Sequence, residues 1–415
     1  MKTNLADFIR DTPEGRQANA ILRTCVHCGF CTATCPTYQL LGEELDGPRG
    51  RIYLMKELFE GGSVSQKTQL HLDRCLTCRS CETTCPSGVR YGRLVDIGRA
   101  VVEKRVGRSL TQKALRFALK RVISNPNLFA PLLRLGQLTE PVLPKALARK
   151  VPARRAATQW PAPRHRRRML VLQGCVQPSI APTINCATAR VLDRIGVSLI
   201  AAPEVGCCGA LAYHLNAQDD ALELMRRNVD AWWRYLEQGV EAIVMTASGC
   251  GVMVKEYAEL LEADSHYAAK AKRITALTKD ATEVLSDERA ALEALHARSA
   301  GAAKHKAQAQ RTAFHSPCTL QHGQRIRGVA ESLLAAAGWE LTAVPDAHLC
   351  CGSAGTYSIL QSKLAQRLLA NKVTALESGS PQVIATANIG CLAHIQTGTA
   401  LPVRHWVELL DEAMA

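Results

Sequence analysis

From residue 169 onward, short apolar runs alternate with helical patterns, and the alternation is written twice. "RRMLVLQGC" and "RTAFHSPC" read as strands arriving at a cysteine. "TINCATARVLDRIG" and "RIRGVAESLLAAAG" follow at helical spacing, each ending in Gly. A second strand then leads to a Cys-Cys-Gly doublet, in "VSLIAAPEVGCCG" and "ELTAVPDAHLCCG". After a longer helix, a third strand, "EAIVMTASGC" or "PQVIATANIGC", delivers a last cysteine. Strands alternating with helices predict a parallel sheet whose cysteine-bearing loops emerge at the C-terminal strand ends.

The first hundred residues show little apolar alternation. "DTPEGRQANAILRT" offers Thr12 as N-cap, Pro13 at the first helical position and Glu14 in the first turn. "GRIYLMKELFEG" has helical spacing at Ile52, Met55 and Phe59. Further on, "LTQKALRFALKRVI" puts Leu110, Leu115, Leu119 and Val122 on one helical face, with Lys113, Arg116, Lys120 and Arg121 elsewhere. "VPARRAATQWPAPRHRRR" reads as an exposed linker.

The expected fold is therefore α+β and multi-domain: an N-terminal α-helical domain, then a duplicated α/β cysteine-rich domain. The expected boundaries are 1–108 for the helical domain, 109–168 for a basic helix and linker, 169–300 for the first repeat and 301–415 for the second. The duplication is measurable. Cys175 lies 32 residues before Cys207, as Cys318 does before Cys350, and Cys208 lies 42 before Cys250 where Cys351 lies 40 before Cys391. Two such halves could bring eight cysteines to one region.

At 415 residues with 47% apolar content, two or three domains with cores of their own are expected. "MKTNLADFIRDTPEGRQ" has no apolar h-region, and no run approaches the ~18 apolar residues that span a bilayer. The expected location is cytosolic, peripheral on the cytosolic face of the inner membrane. The formal charge is +14, and it is concentrated: between Lys104 and Arg168 stand 17 Lys or Arg against one acid, Glu140, a net +16. That segment lacks interleaved aromatics, so a basic amphipathic helix suits an anionic membrane or a partner subunit, and no nucleic acid is expected.

Seventeen cysteines under reducing conditions point to metal ligation and not to a disulfide framework. "CVHCGFCTATCP" and "CLTCRSCETTCP" are both C-x2-C-x2-C-x3-C-P, 50 residues apart. Three thiolates at i, i+3 and i+6 wind round one face of a [4Fe-4S] cube, and the fourth, set off by three residues and a proline, reaches the other cluster. The expected ligands are Cys25, Cys28, Cys31 and Cys85 for one cluster, and Cys75, Cys78, Cys81 and Cys35 for the second. Zinc would have no use for the third evenly spaced cysteine. The helical N-terminal part is therefore expected to be a two-cluster ferredoxin-like domain, and two clusters in one small domain make a one-electron relay. The chain shows no G-x-G-x-x-G after a strand, no phosphate loop and no catalytic triad, so no catalytic residue and no FAD are expected here, and a separate flavoprotein is the expected donor.

The strand-end cysteines, Cys175, Cys207, Cys208, Cys250, Cys318, Cys350, Cys351 and Cys391, are candidates for a further iron-sulfur cluster. Thiol-disulfide chemistry and a bare turn-forming role are the alternatives. Cys186, whose counterpart is Val329, reads as a small buried hydrophobe. His214, His348 and His394 stand near these cysteines and are candidate proton donors.

The whole chain resembles the iron-sulfur subunits of glycolate oxidase (glycolate dehydrogenase). The resemblance rests on "CVHCGFCTATCPTYQLLGEELDGPRGRIYL", "HLDRCLTCRSCETTCPSGVRYG", "GCCGALAYHLNAQ", "TASGCG", "HLCCGSAGTYS", "TANIGC" and "VRHWVEL", in order from end to end. It implies a complex with FAD-binding subunits that oxidise glycolate to glyoxylate, electrons leaving through this chain to a quinone-linked membrane acceptor. Iron-sulfur subunits serving D-lactate or glycerol 3-phosphate oxidation have similar architectures. The doublet unit also resembles the cysteine-rich domain of heterodisulfide reductases, where a C-x2-C pair closes the unit; here Ala247 and Asn388 stand where the fifth cysteine would be.

Overall fold

The computed structural model describes residues 1–144, 148, 150–302 and 310–414. Its first part is helical. Thr12 caps the helix Pro13–Thr24 by accepting from the Gly15 N–H at 3.0 Å. The helix Pro48–Phe59 buries Ile52, Met55 and Phe59 as its spacing predicts, and Tyr91–Val106 packs across it. These elements close one apolar core around Leu22, Leu58, Leu72, Leu94 and the cysteine loops.

Each later half carries a four-stranded, all-parallel sheet, with a helix on every crossover. In the first half β1 (Arg167–Val171) lies between β2 (Val197–Ala201) and β3 (Ile243–Met245), with β4 (Thr278–Asp280) outermost. In the second, β5 (Arg311–His315) lies between β6 (Glu340–Thr342) and β7 (Val383–Thr386), with β8 (Val403–His405) outermost. The sequence pattern shows three strands per half; the fourth, outermost strand of each half was not among them. The second strands also end sooner than the apolar runs suggest, leaving each doublet in a loop.

The halves pack about a pseudo-twofold axis. The helix Thr183–Arg194 of the first meets Trp406–Ala413 of the second, and Ala281–Asp287 of the first meets Val329–Ala336 of the second, so one apolar core runs through both. The helical domain is clamped to both halves: Arg79 and Arg90 pair with Glu256 and Glu259, and the Tyr357 hydroxyl donates to the Arg74 carbonyl at 3.1 Å.

The segment between the domains differs from its expected form. The basic helix is present at Leu110–Ile123, but a second helix, Pro126–Thr139, packs beside it. Neither helix buries a residue. Arg116 and Lys120 face inward, to Asp73 and Asp220, while Leu110, Leu115 and Phe117 are exposed. The arginine-rich stretch is not free either: the Trp160 indole donates to the Leu199 carbonyl at 3.2 Å, and Arg164 forks onto Asp193. Among the described residues no helix is long and apolar enough to cross a membrane.

Candidate functional site

The two C-x2-C-x2-C loops wind by the same backbone device. His27 and Gly29 in the first, and Thr77 and Arg79 in the second, take left-handed conformations at φ 59°, 87°, 53° and 62°. Three of these four are not glycine, a local strain of about 1–2 kcal/mol each that curls the loop and turns amide hydrogens toward sulfur. The Thr77 N–H donates to Cys75 Sγ at 3.4 Å.

Cys25, Cys28, Cys31 and Cys85 wall one pocket, together with Ile52 and Val89. Cys35, Cys75, Cys78 and Cys81 wall a second. Cys81, Pro48 and Tyr91 line both, so the two pockets share a wall. Each set thus takes three cysteines from one motif and the fourth from the other.

Burial and mutual repulsion govern these thiols. Desolvation pushes Cys31 up to about 11, with Cys25, Cys85 and Cys28 adding to it. Desolvation likewise pushes Cys81 well above the ordinary thiol range, reinforced by Cys78, Cys75 and Cys35. Four thiols crowded in a dry pocket stay protonated unless a cationic centre displaces the protons, and an iron-sulfur core does that. The residues fit such a group in two further ways. The Tyr91 hydroxyl, buried on the shared wall, has no hydrogen-bond partner among the described residues, nor has Nε2 of His27 in the first pocket. Cations stand close by: Arg51, 1% exposed, donates to Thr37 Oγ1 at 3.1 Å, which in turn meets Cys35 Sγ at 3.3 Å, and Arg99 donates to the Cys75 carbonyl at 2.6 Å.

The two sets face different surroundings. Cys28 is exposed, within a collar of exposed Val26, Phe30 and Tyr53. Cys78 packs against Cys318 and Cys350 of the second half, with Leu76 and Tyr357 around them.

At the strand ends of the two halves the cysteines fall into two groups of four. Cys175, Cys207, Cys208 and Cys250 run as a ladder of neighbouring thiols, and Cys318, Cys350, Cys351 and Cys391 form a matching ladder whose first step, Cys318 to Cys350, is 3.9 Å. The glycine of each doublet is left-handed, φ 88° at Gly209 and 91° at Gly352. A Cβ there would lie 3.1 Å from the Ala221 carbonyl oxygen or 2.7 Å from that of Ala365. Glycine lets the helix after the doublet pack down on it.

Beyond these ladders the halves diverge. In the first, neutral hydrogen bonds tie the doublet: Asn228 accepts from the Gly206 N–H and donates to the Cys207 carbonyl, both at 2.9 Å, and the Tyr257 hydroxyl donates to the Cys208 carbonyl at 2.9 Å. The second half instead places His315 and Lys372 among its cysteines. Asn388, standing where a fifth cysteine would complete the unit, donates to Cys391 Sγ at 3.6 Å and accepts from the Gly249 N–H at 3.3 Å, which joins the halves at their cysteine ends.

Cys186 is buried on the helix Thr183–Arg194, as its pattern suggests. His214 pairs with Asp96 at 3.3 Å, and the His348 carbonyl accepts from the His322 ring at 2.9 Å. His394 is half-buried, and desolvation lowers its basicity. His315 and Lys372 were not legible as site residues. One is the last position of an apolar strand and the other sits within a helix, and neither belongs to a cysteine motif.

Residues 21–89 match the 4Fe-4S dicluster domain family, and residues 169–255 and 312–396 each match the Cysteine-rich domain family. The chain is 52% identical over its whole length to the glycolate oxidase iron-sulfur subunit of Escherichia coli (strain K12), covering 99% of that protein. It is 29% identical over 96% of its length to the probable glycolate oxidase iron-sulfur subunit of Bacillus subtilis (strain 168), covering 92% of it. Lactate utilization protein A of Bacillus velezensis is 29% identical over 53% of this chain and 87% of its own length.

Proposed function

The chain belongs to the family of glycolate oxidase iron-sulfur subunits, and from that premise we propose that it relays electrons from FAD-binding partner subunits, where glycolate becomes glyoxylate, toward a quinone-linked acceptor at the membrane. It is the iron-sulfur subunit of an oxidoreductase complex, with the flavin and the hydroxy acid on other chains. The observation that carries the relay is the interleaving of the cysteine motifs about one shared wall.

In this reading Cys25, Cys28, Cys31 and Cys85 hold one [4Fe-4S] cluster and Cys35, Cys75, Cys78 and Cys81 the other. Bound there, the clusters supply two one-electron carriers a short distance apart. The chain's own residues do the rest. Cys85 and Cys35, each crossing to the other motif, fix the spacing between the two sites. Ile52, Val89 and Tyr91 exclude water, and Arg51 and Arg99 offset negative charge at the inner set. The apolar collar of Val26, Phe30 and Tyr53 around Cys28 suits the face that meets the flavin-bearing partner, because no other described thiol of the two sets is exposed.

The same reading makes residues 1–108 the relay domain, 109–168 a connector, and 169–300 and 301–415 the two cysteine-rich repeats. It also makes the connector the membrane contact. Leu128, Leu132, Leu135 and Leu138 are exposed on the helix Pro126–Thr139 beside the basic helix, a combination that suits insertion into an anionic interface on the cytosolic side. The complex assembled with its partner subunits tests the substrate: glycolate should reduce its iron-sulfur chromophore faster than D-lactate or glycerol 3-phosphate does. A faster reaction with either of those would move the reading to that substrate.

A further inference from the structure

We infer that the second cysteine-rich half holds a single tetrahedral divalent ion of the zinc class, bound by His315, Cys351 and Cys391 with its fourth position open, and that the first half holds none. This goes beyond the relay, which uses neither half's thiols.

The inference rests on geometry. One ring nitrogen of His315 and the sulfurs of Cys351 and Cys391 all lie within 4.8 Å of one another, and all three residues are buried. His315 is 2% exposed, yet neither of its ring nitrogens has a hydrogen-bond partner among the described residues. A buried imidazole with no partner is costly, and a ligand bond removes the cost. Bond lengths of about 2.3 Å to sulfur and 2.0 Å to nitrogen place tetrahedral ligands roughly 3.5–3.8 Å apart. The observed spacing suits one shared ion better than a cube, whose thiolates must each reach a separate corner. Cys350 adjoins Cys351 on the ladder and lies outside that group of three.

Charge agrees. Lys372, 3% exposed, donates to the Asp346 carbonyl at 2.8 Å and lies within the influence of Cys350 and Cys351. Two thiolates and a divalent ion sum to zero, which a buried site requires.

The first half is the internal control. Leu172 stands three residues before Cys175 where His315 stands three before Cys318. Asn228 lies seven residues beyond Ala221, whose carbonyl faces Gly209; Lys372 lies seven beyond Ala365, whose carbonyl faces Gly352. Ladder and glycine are kept in the first half, but the imidazole and the cation are replaced by an apolar and a neutral residue.

The test uses the full chain purified anaerobically without chelator, with zinc and iron measured together and zinc-edge X-ray absorption on the same sample. The wild type should carry about one zinc per chain with sulfur neighbours near 2.3 Å and one nitrogen near 2.0 Å, beside the iron of the relay domain. His315→Val should lose nearly all the zinc and leave iron and cluster EPR unchanged. Leu172→Ala in the first half should keep both metals. A wild type without stoichiometric zinc, a His315→Val chain that keeps its zinc, or a Cys391→Ser chain that loses iron would each overturn the assignment. The relay reading stands or falls on the iron, so the two failures are distinct.

Discussion

Cys78 of the helical domain packs against Cys318 of the second cysteine-rich half. Through that contact the inner of the two cysteine sets looks toward the repeat, while the outer set, through Cys28, looks toward solvent. A chain laid out this way has one cysteine set open at the surface and the other already covered.

The exchange of fourth cysteines gives the first prediction. Cys85→Ser removes a ligand from the set of Cys25, Cys28 and Cys31, and Cys35→Ser removes one from the set of Cys75, Cys78 and Cys81. Each variant should fall from about eight irons to about four, and each should lose the EPR signature that the other retains. If the two variants lost the same signature, the motifs would not be interleaved.

Gly352 gives a prediction about packing. Its φ of 91° and the 2.7 Å approach of the Ala365 oxygen make any side chain there clash with backbone, whereas Gly174, at φ 79°, has open space around it. Gly174→Ala should cost about 1 kcal/mol from the backbone conformation alone, and Gly352→Ala about 2–4 kcal/mol because a clash is added. Thermal unfolding of the two proteins side by side measures the difference, and equal losses would refute the close-approach role.

Much of this arrangement was legible beforehand. The C-x2-C-x2-C-x3-C-P spacing encodes both the loop and the partner-swapping cysteine, because a four-iron cube imposes its own geometry on the chain. The duplicated unit was legible from cysteine intervals, and the first three strands of each half from their apolar runs. What escaped was set by tertiary contact. The short strands Thr278–Asp280 and Val403–His405 have no pattern of their own and form because a sheet edge receives them. Arg116 and Lys120 read as solvent-facing charge until Asp73 and Asp220 arrive from distant segments. His315 and Lys372 become site residues only where the fold brings a strand end and a helix against the doublet cysteines.

His322 makes stability pH-dependent. Its ring meets Thr83 Oγ1 of the helical domain at 2.8 Å and the His348 carbonyl at 2.9 Å, and desolvation lowers its pKa to about 4 from 6.5. Because the folded form resists protonation, the contribution is fully present above about pH 6.5 and is lost as pH falls toward 4. In all it amounts to about 3 kcal/mol. His405, also held near 4 by burial, acts over the same window. His322→Gln should therefore lose less stability than the wild type between pH 7 and pH 5 in denaturant titrations. An unchanged pH slope would remove His322 from the account.

The connector yields a membrane prediction. Leu132→Glu with Leu135→Glu alters two exposed side chains on a helix that buries none, so folding should be unaffected. Sedimentation with vesicles rich in phosphatidylglycerol should drop several-fold, while vesicles of phosphatidylcholine alone should bind weakly throughout. Equal sedimentation of variant and wild type would exclude these helices as the membrane contact.

The central claim is the relay, and the assembled complex tests it. Mixed anaerobically with glycolate and no acceptor, the wild-type complex should show flavin reduction followed by bleaching of the iron-sulfur absorbance and a matching EPR signal. A quinone added afterwards should restore the colour. With Cys85→Ser the flavin should still be reduced, and quinone turnover should fall by at least tenfold. Full quinone turnover in that variant, or an iron-sulfur absorbance that glycolate leaves untouched, would contradict the account.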